Sequence, residues 1–462
     1  MRTSPRRAAA LATSAAAALL AGLLGPAAAH ADTPPSDDIS SDNVEFVTNV
    51  PKPEAVNNVN SDLAFTGDYA IGGNYDGFVV YDISDPESPT VVSEVLCPGG
   101  QGDVSVSGDL LYFAVDYPRA SDECGAPAVP TTDPNGFEGV RIFDISDKAN
   151  PQYVSAVRTD CGSHTLTLVP GDEEREYVYV SSYSPSVNFP NCQPPHDKIS
   201  VIEVPLDDPA SAAVASEPVL FPDGGNHDQD NLLLPTQGCH DITVFPAKDL
   251  AAGACMGDGI LMDITDPLEP VVTEVIQDEN FAFWHSATFT NDAKTVLFTD
   301  ELGGGGAPTC TEEIGPERGA NAIYTIKGKG ADATLEFASY FKIDRHQGDQ
   351  ICVAHNGSLI PVPGKDYFVQ SWYQGGVSVI DFNDPRNPRE IGYFDADSRI
   401  DPDIQDNDTW SAYYYNGYVY SSDIERGLDV LKLTDPRLRA AERVTYDEFN
   451  PQTQPVYRPG KR

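Results

Sequence analysis

The chain has 462 residues, a formal net charge of −42 and 40% hydrophobic residues, with 38 glycines and 38 prolines. That acidity excludes a general nucleic-acid binder, which needs a basic face to displace phosphate counterions. The composition belongs to a globular, turn-rich protein rather than a disordered or helical one.

Residues 1–31 read as an export signal. Arg2, Arg6 and Arg7 lead an Ala/Leu run over 8–24, and Ala29-His30-Ala31 supplies a small-residue cleavage site. Residues 32–43 read as a disordered linker. No later apolar run approaches the ~20 residues of a membrane span. The expectation is a secreted, extracellular protein without a membrane span.

Residues 44–50 form a strand that precedes the first repeat and has no unit of its own. An apolar strand, an Asp-Pro turn and a second apolar strand then recur. The copies are Gly77-Phe-Val-Val-Tyr-Asp-Ile-Ser-Asp-Pro86, Gly139-Val-Arg-Ile-Phe-Asp-Ile-Ser-Asp147 and Gly259-Ile-Leu-Met-Asp-Ile-Thr-Asp-Pro267. Gly376-Val-Ser-Val-Ile-Asp-Phe-Asn-Asp-Pro385 and Gly427-Leu-Asp-Val-Leu-Lys-Leu-Thr-Asp-Pro436 follow. Their glycines are 62, 120, 117 and 51 residues apart, and each wide gap holds a weaker copy, at 198–205 and 321–326. The runs are short, rich in Val, Ile, Tyr and Phe, and bounded by Gly, Asp and Pro, as strands are. With two further runs ahead of each copy, such as 164–169 and 177–181, a unit has four strands in ~50–60 residues, the period of a propeller blade. The reading is an all-β, seven-bladed β-propeller over 44–445, followed by a polar C-terminal tail, 446–462. The N-terminal strand completes the last blade, which removes two exposed sheet edges.

The strand consensus resembles the LVIVD-repeat family. Gly238-Cys-His-Asp-Ile-Thr-Val-Phe-Pro246, Phe283-Trp-His-Ser-Ala-Thr-Phe289 and Val353-Ala-His-Asn-Gly-Ser358 are similar to stretches in its exported actinobacterial members. The resemblance implies a propeller and no single activity, so function has to come from the site.

In such a blade the turns between strands C and D lie on one face, and here they are short. Long loops at 116–137, 182–197 and 300–320 fall on the opposite face, the usual arrangement of a binding surface on a rigid scaffold. Eight cysteines in an exported chain point to four disulfides. Seven lie in loops of that face and Cys255 in or near the second strand of the fourth unit, a placement that favours the neighbour pairs Cys97–Cys124, Cys161–Cys192, Cys239–Cys255 and Cys310–Cys352. No CxxC spacing supports a zinc cluster.

Four histidines, His164, His240, His285 and His355, stand where the innermost strand of consecutive units begins. Their imidazoles are candidates to converge at the channel mouth as ligands for Cu, Fe or Zn. The competing reading has each ring hydrogen-bonded inside its own blade. Asp300, Glu301, Asp423 and Glu425 end strands on the same face, as supports for a metal ligand, general bases or loop caps. Trp284, Trp372, Tyr373 and Trp410 flank them, either lining a pocket or packing between blades. His196 and His227 read as solvated loop residues, and His346 has no assigned place. The acidic stretch 395–408 is a weaker calcium candidate, lacking the glycine and final glutamate of an EF-hand. The functional expectation is a scaffold that binds a small molecule or protein on the loop-rich face, with a metal at the channel mouth. The alternative is a metal-dependent oxidoreductase using the four histidines.

Overall fold

The computed structural model describes residues 40–226, 235–345, 348, 350–396 and 408–458. The proposed export signal, His227, His346 and most of the 395–408 stretch lie outside these residues. The described chain is an all-β propeller whose only helical elements are four short 3-10 turns.

β1 (Val44–Val50) comes first. Antiparallel four-stranded ladders follow: β2–β5 (Asn60–Thr66, Tyr69–Asn74, Gly77–Asp82, Thr90–Leu96) and β6–β9 (Val104–Ser107, Leu110–Arg119, Phe137–Asp144, Gln152–Arg158). Next are β10–β13 (Thr165–Val169, Arg175–Ser181, Ser200–Pro205, Ala213–Ser216) and β14–β17 (Asp241–Phe245, Leu250–Cys255, Asp258–Asp263, Val271–Ile276). Then come β18–β21 (Trp284–Phe289, Thr295–Asp300, Asn321–Lys327, Thr334–Phe341) and β22–β25 (Asn356–Ile360, Tyr367–Ser371, Val377–Asp381, Arg389–Phe394). The strands β26–β28 (Thr409–Tyr415, Tyr418–Asp423, Gly427–Leu433) gain a fourth partner in β1, which runs antiparallel to β28 from Val44↔Leu433 to Val50↔Leu428. The last strand, β29 (Glu448–Phe449), pairs with β2.

The repeat has a local cause. Gly77 and Gly139 adopt φ of +145° and +148°, and a Cβ there would lie 1.9 and 2.1 Å from the carbonyls of Val95 and Val157. Only glycine fits so close to the neighbouring strand. The aspartate that ends the strand, five residues on from Gly77 and Gly139 and four on from Gly259, closes the following turn. Asp82, Asp144 and Asp263 each accept the backbone N–H two residues ahead, at 2.9, 2.8 and 2.9 Å, as an Asx turn requires.

Ladders join through apolar clusters, one at each junction. Phe78, Val80, Leu111 and Phe143 fill the first. The succession continues around the molecule until Phe65, Tyr81, Tyr413 and Tyr420 pack β26–β28 against β2–β4. The core is therefore distributed between ladders, and the chain's last repeat packs on its first. Hydroxyls stitch the innermost strands as well: Thr165 Oγ1 donates to His240 O at 2.6 Å, and Thr243 Oγ1 to Ala287 O at 2.7 Å.

Both ends of the propeller chain are built in. Residues 40–43, expected inside a disordered linker, lie along β25: Ser41 N–H donates to Tyr393 O at 3.0 Å and Asn43 Nδ2 to Ile391 O at 2.7 Å. Asp435 fastens this segment, accepting from Asn43 Nδ2 at 3.0 Å. Its hydrogen bonds with Arg437, ahead of that with Asn43, hold its carboxyl down at about 2. The stabilisation is complete above the ordinary value of 3.8 and is lost as pH falls towards 2. Acid is expected to loosen residues 40–50 in that window, read as faster amide exchange, and Asp435→Asn is expected to remove the pH dependence.

The polar tail crosses the innermost strands on the side away from the long loops. Asn450 accepts Val106 N–H at 2.7 Å and donates to Val106 O at 2.8 Å. Gln454 does the same for Phe289, at 2.8 and 2.5 Å. Between them Thr453 Oγ1 donates to Leu168 O, and the backbone of Gln452 and Gln454 brackets Val244. Phe449, Asn450, Gln452, Gln454 and Tyr457 are all buried.

Candidate functional site

Disulfides pin the long loops. The bonds are Cys97–Cys124, Cys161–Cys192, Cys239–Cys255 and Cys310–Cys352, the neighbour pairs expected from placement. Closing loops of 16 to 42 residues, each contributes about 3–4 kcal/mol by the chain-entropy account. Four such bonds suit an oxidising extracellular or periplasmic location. No helix among the described residues is long and apolar enough to cross a membrane.

The four histidines lie side by side in a row. His164, His240 and His355 immediately precede β10, β14 and β22, and His285 is the second residue of β18. Successive ring centroids are 4.5, 4.0 and 4.2 Å apart from His164 through His240 and His285 to His355. His240, His285 and His355 are buried. Burial, with neighbouring imidazoles, pushes His240 and His285 well below the ordinary histidine range, and burial takes His355 down to about 3. These three rings are neutral at physiological pH.

Their Nδ1 atoms are held from neighbouring ladders, the preceding one for His164 and the following one for His240 and His355. His164 Nδ1–H donates to Asp116 Oδ2 at 2.7 Å, His240 Nδ1–H to His285 O at 3.1 Å, and His355 Nδ1–H to Trp410 O. Neutral His240 and His355 therefore keep the lone pair on Nε2. The Nε2 atoms of His164 and His240 face each other at 2.9 Å, near enough to share one proton or one cation. Tyr183 Oη also reaches His164 Nε2, at 3.3 Å.

Glu301, just after β19, completes the cluster. Its carboxylate oxygens lie 3.8 Å from His285 Nε2 and 3.9 Å from His355 Nε2. Possible ligand atoms of His240, His285 and Glu301 all fall within 4.8 Å of one another. Burial first, then the charge of Asp300, raises Glu301 to about 8 against the hydrogen bond from Tyr373. Tyr373 Oη donates to Glu301 Oε1 at 2.5 Å from a backbone at φ +51°. That left-handed conformation is costly for a tyrosine. The carbonyl of Tyr373 is held by Thr409 N–H and Oγ1, both at 3.0 Å.

The other sequence candidates separate from this cluster. Asp300 caps a loop, accepting N–H groups of Ala282, Phe283 and Gly319 at 3.1, 2.8 and 2.7 Å. Asp423 does likewise for Asp408, Glu425 and Arg426. The exposed Glu425 lies 3.6 Å from Lys52. Trp284 and Trp372 fill cores between ladders, whereas Trp410 stacks edge-on to His355 at 5.0 Å.

His196 is not solvated. It is buried, and its Nε2 is 2.9 Å from Ser182 Oγ. It packs against Gly238 (φ +104°), where a Cβ would lie 2.0 Å from Ser182 O and 2.7 Å from the His196 ring. Gly238→Ala is expected to cost about 3 kcal/mol, from backbone strain plus displacement of these neighbours. A denaturant melt reads that loss.

Sequence reasoning missed Asp116 and Tyr183. The aspartate lies in the second strand of its ladder, as Asp300 and Asp423 do at the ends of theirs, which was the available signal. Both residues also line a cleft of about 240 Å³ beside His164, with Glu138, Phe189 and the Cys161–Cys192 bond. Burial and the charge of Asp116 raise Glu138 to about 7.

Residues 60–97 match the LVIVD repeat. No curated protein matches the chain in sequence. Similar solved structures include the hydrazine synthase of Kuenenia stuttgartiensis, with TM-score 0.52 and 12% identity over 82% of this chain and 97% of that one. The periplasmic gluconolactonase PpgL of Pseudomonas aeruginosa gives 0.51 and 11% over 81% and 99%. A putative 6-phosphogluconolactonase from Bacteroides uniformis gives 0.50 and 13% over 79% and 89%. At these identities the likeness is one of fold alone.

Proposed function

We propose that this chain is an exported, seven-bladed LVIVD-type propeller that holds a transition metal at its channel mouth and takes a small ligand in the cleft beside it. His164, His240, His285 and His355 are the ligands, with Glu301 as a further oxygen donor. One observation carries the reading: three of the four imidazoles spend Nδ1–H on a carboxylate or carbonyl of an adjacent blade, leaving Nε2 as the ring atom available to a metal. Metal-bound histidines are oriented this way. The competing role, a hydrogen bond inside the histidine's own blade, fits none of these three.

A nitrogen-rich set with one carboxylate suits Zn, Cu or Fe. Such an ion would supply Lewis-acid or redox chemistry at the cleft wall. The chain's own residues provide the rest. Asp116 orients His164, Tyr373 positions Glu301, and Tyr183 offers a hydroxyl between the histidine layer and the cleft. The Tyr373–Glu301 hydrogen bond beside His355 favours oxidoreductase chemistry as the second reading, since it joins a phenol and a carboxylate next to the ligands. The lactonase names belong to fold neighbours and bring no reaction to this chain.

Elemental analysis of untagged protein purified from its native export route tests the proposal. About one equivalent of Cu, Fe or Zn is expected. Protein that carries no metal, and takes up none from solutions of these ions, would sink it.

A further inference from the structure

Beneath the imidazoles the channel changes from nitrogen to oxygen. Asp62 lies in β2, and Gln101 and Asp103 lie just before β6, all buried. With Ser61, Asn356 and the lower sides of His240 and His285, they surround a cavity of about 10 Å³. Asp62 is served on both oxygens, by Leu63 N–H at 2.8 Å and by Asn356 Nδ2 and Gln452 Nε2 at 3.2 and 3.1 Å. Asp103 Oδ2 accepts Leu166 N–H at 2.7 Å. Its Oδ1 has no partner, nor do Gln101 Oε1, Asp241 Oδ1 and Gln452 Oε1.

All four orphans are acceptors. Each unmet buried acceptor costs about 1–3 kcal/mol, and a buried carboxyl either takes up a proton, the direction in which burial pushes Asp62, Asp103 and Asp241 here, or keeps its charge beside a cation. No lysine or arginine is among the described residues lining the cavity. A water fits the space, but it brings two hydrogens and no charge.

We infer that the channel binds one Ca²⁺ at this lower level, with Asp103, Gln101 and Asp62 supplying oxygens. Hard oxygen donors select Ca²⁺ or Mg²⁺ over the softer metals suited to the upper site. Mg²⁺ binds at about 2.0–2.1 Å and keeps several waters, for which this cavity has no room. Ca²⁺ sheds water readily and takes oxygens at about 2.3–2.6 Å in irregular geometry. Asp241 and Gln452 contribute charge and a carbonyl from the side and from the C-terminal tail. This inference stands apart from the transition-metal proposal and does not need it.

The test is calorimetric titration of the chelator-stripped, full mature chain with CaCl₂ at physiological salt, repeated with MgCl₂. One saturable equivalent of Ca²⁺, without matching Mg²⁺ binding, is expected, together with a Ca²⁺-dependent rise in melting temperature. Asp103→Asn and Gln101→Ala should each weaken binding at least tenfold, while Glu425→Gln, at an exposed carboxylate beside Lys52, leaves it unchanged. The two channel variants guard against one failing to fold, and circular dichroism checks both. Ca²⁺ uptake that is absent, or equal in wild type and both channel variants, overturns the inference, because the acidic surface alone would then account for it.

Discussion

Replacing His240 or His285 with alanine is expected to abolish stoichiometric transition-metal binding while leaving the propeller folded. Both side chains lie at the centre of the imidazole row, so each removal takes a ligand that no neighbour can replace. Asp116→Asn is the subtler test. It keeps the shape but weakens the acceptor on His164 Nδ1–H, and partners of this kind typically govern affinity by about 10–100-fold. The pH dependence has a definite sign. Glu301, raised to about 8, holds a proton at neutral pH in metal-free protein, whereas His355, lowered to about 3, holds none. Metal binding must displace the Glu301 proton. Apparent affinity should climb as pH rises towards 8 and flatten beyond it, and Glu301→Gln should remove the slope. Competition titrations with a chromophoric chelator across pH read all of these outcomes. A flat profile in wild type would remove Glu301 from the ligand set.

Truncation after Asp447 is expected to be the most damaging change outside the site. It deletes Phe449, a buried side chain of a type whose loss costs about 3–5 kcal/mol. It also strands the backbone groups of Val106 and Phe289, which Asn450 and Gln454 otherwise satisfy. Each pair adds about 1–3 kcal/mol. The total, on the order of 5 kcal/mol or more, approaches the whole stability of an ordinary domain. Asn450→Ala and Gln454→Ala separate the contributions and should each lower the denaturant midpoint measurably. A truncated chain that melts with the wild type would mean the tail merely decorates the fold.

Much of this architecture was legible because its causes are local. Gly77 and Asp82 announce themselves, one by a backbone no other residue fits, the other by closing its own turn. The cysteines and the four histidines recur at fixed places relative to those marks, so their neighbourhoods followed from the repeat. What stayed hidden depends on long-range context. Asn450 and Gln454 look like solvated amides until inner-strand groups are found for them to pair with. Trp284 and Trp410 both lie at the start of an innermost strand, β18 and β26, and only the direction of each side chain sends one between ladders and the other against His355. Asp116 was obscured because β7 runs on to Arg119, so a strand residue read as the start of a loop.

The pairing of β1 with β28 brings residues almost four hundred positions apart into one ladder. A chain threading outwards from its amino terminus can stack its early repeats in order, but its first strand must wait for its last partner. Until the final segment clears the exit, the ring stands open at a single seam. Closure of the ring is thus the step that waits for the whole chain.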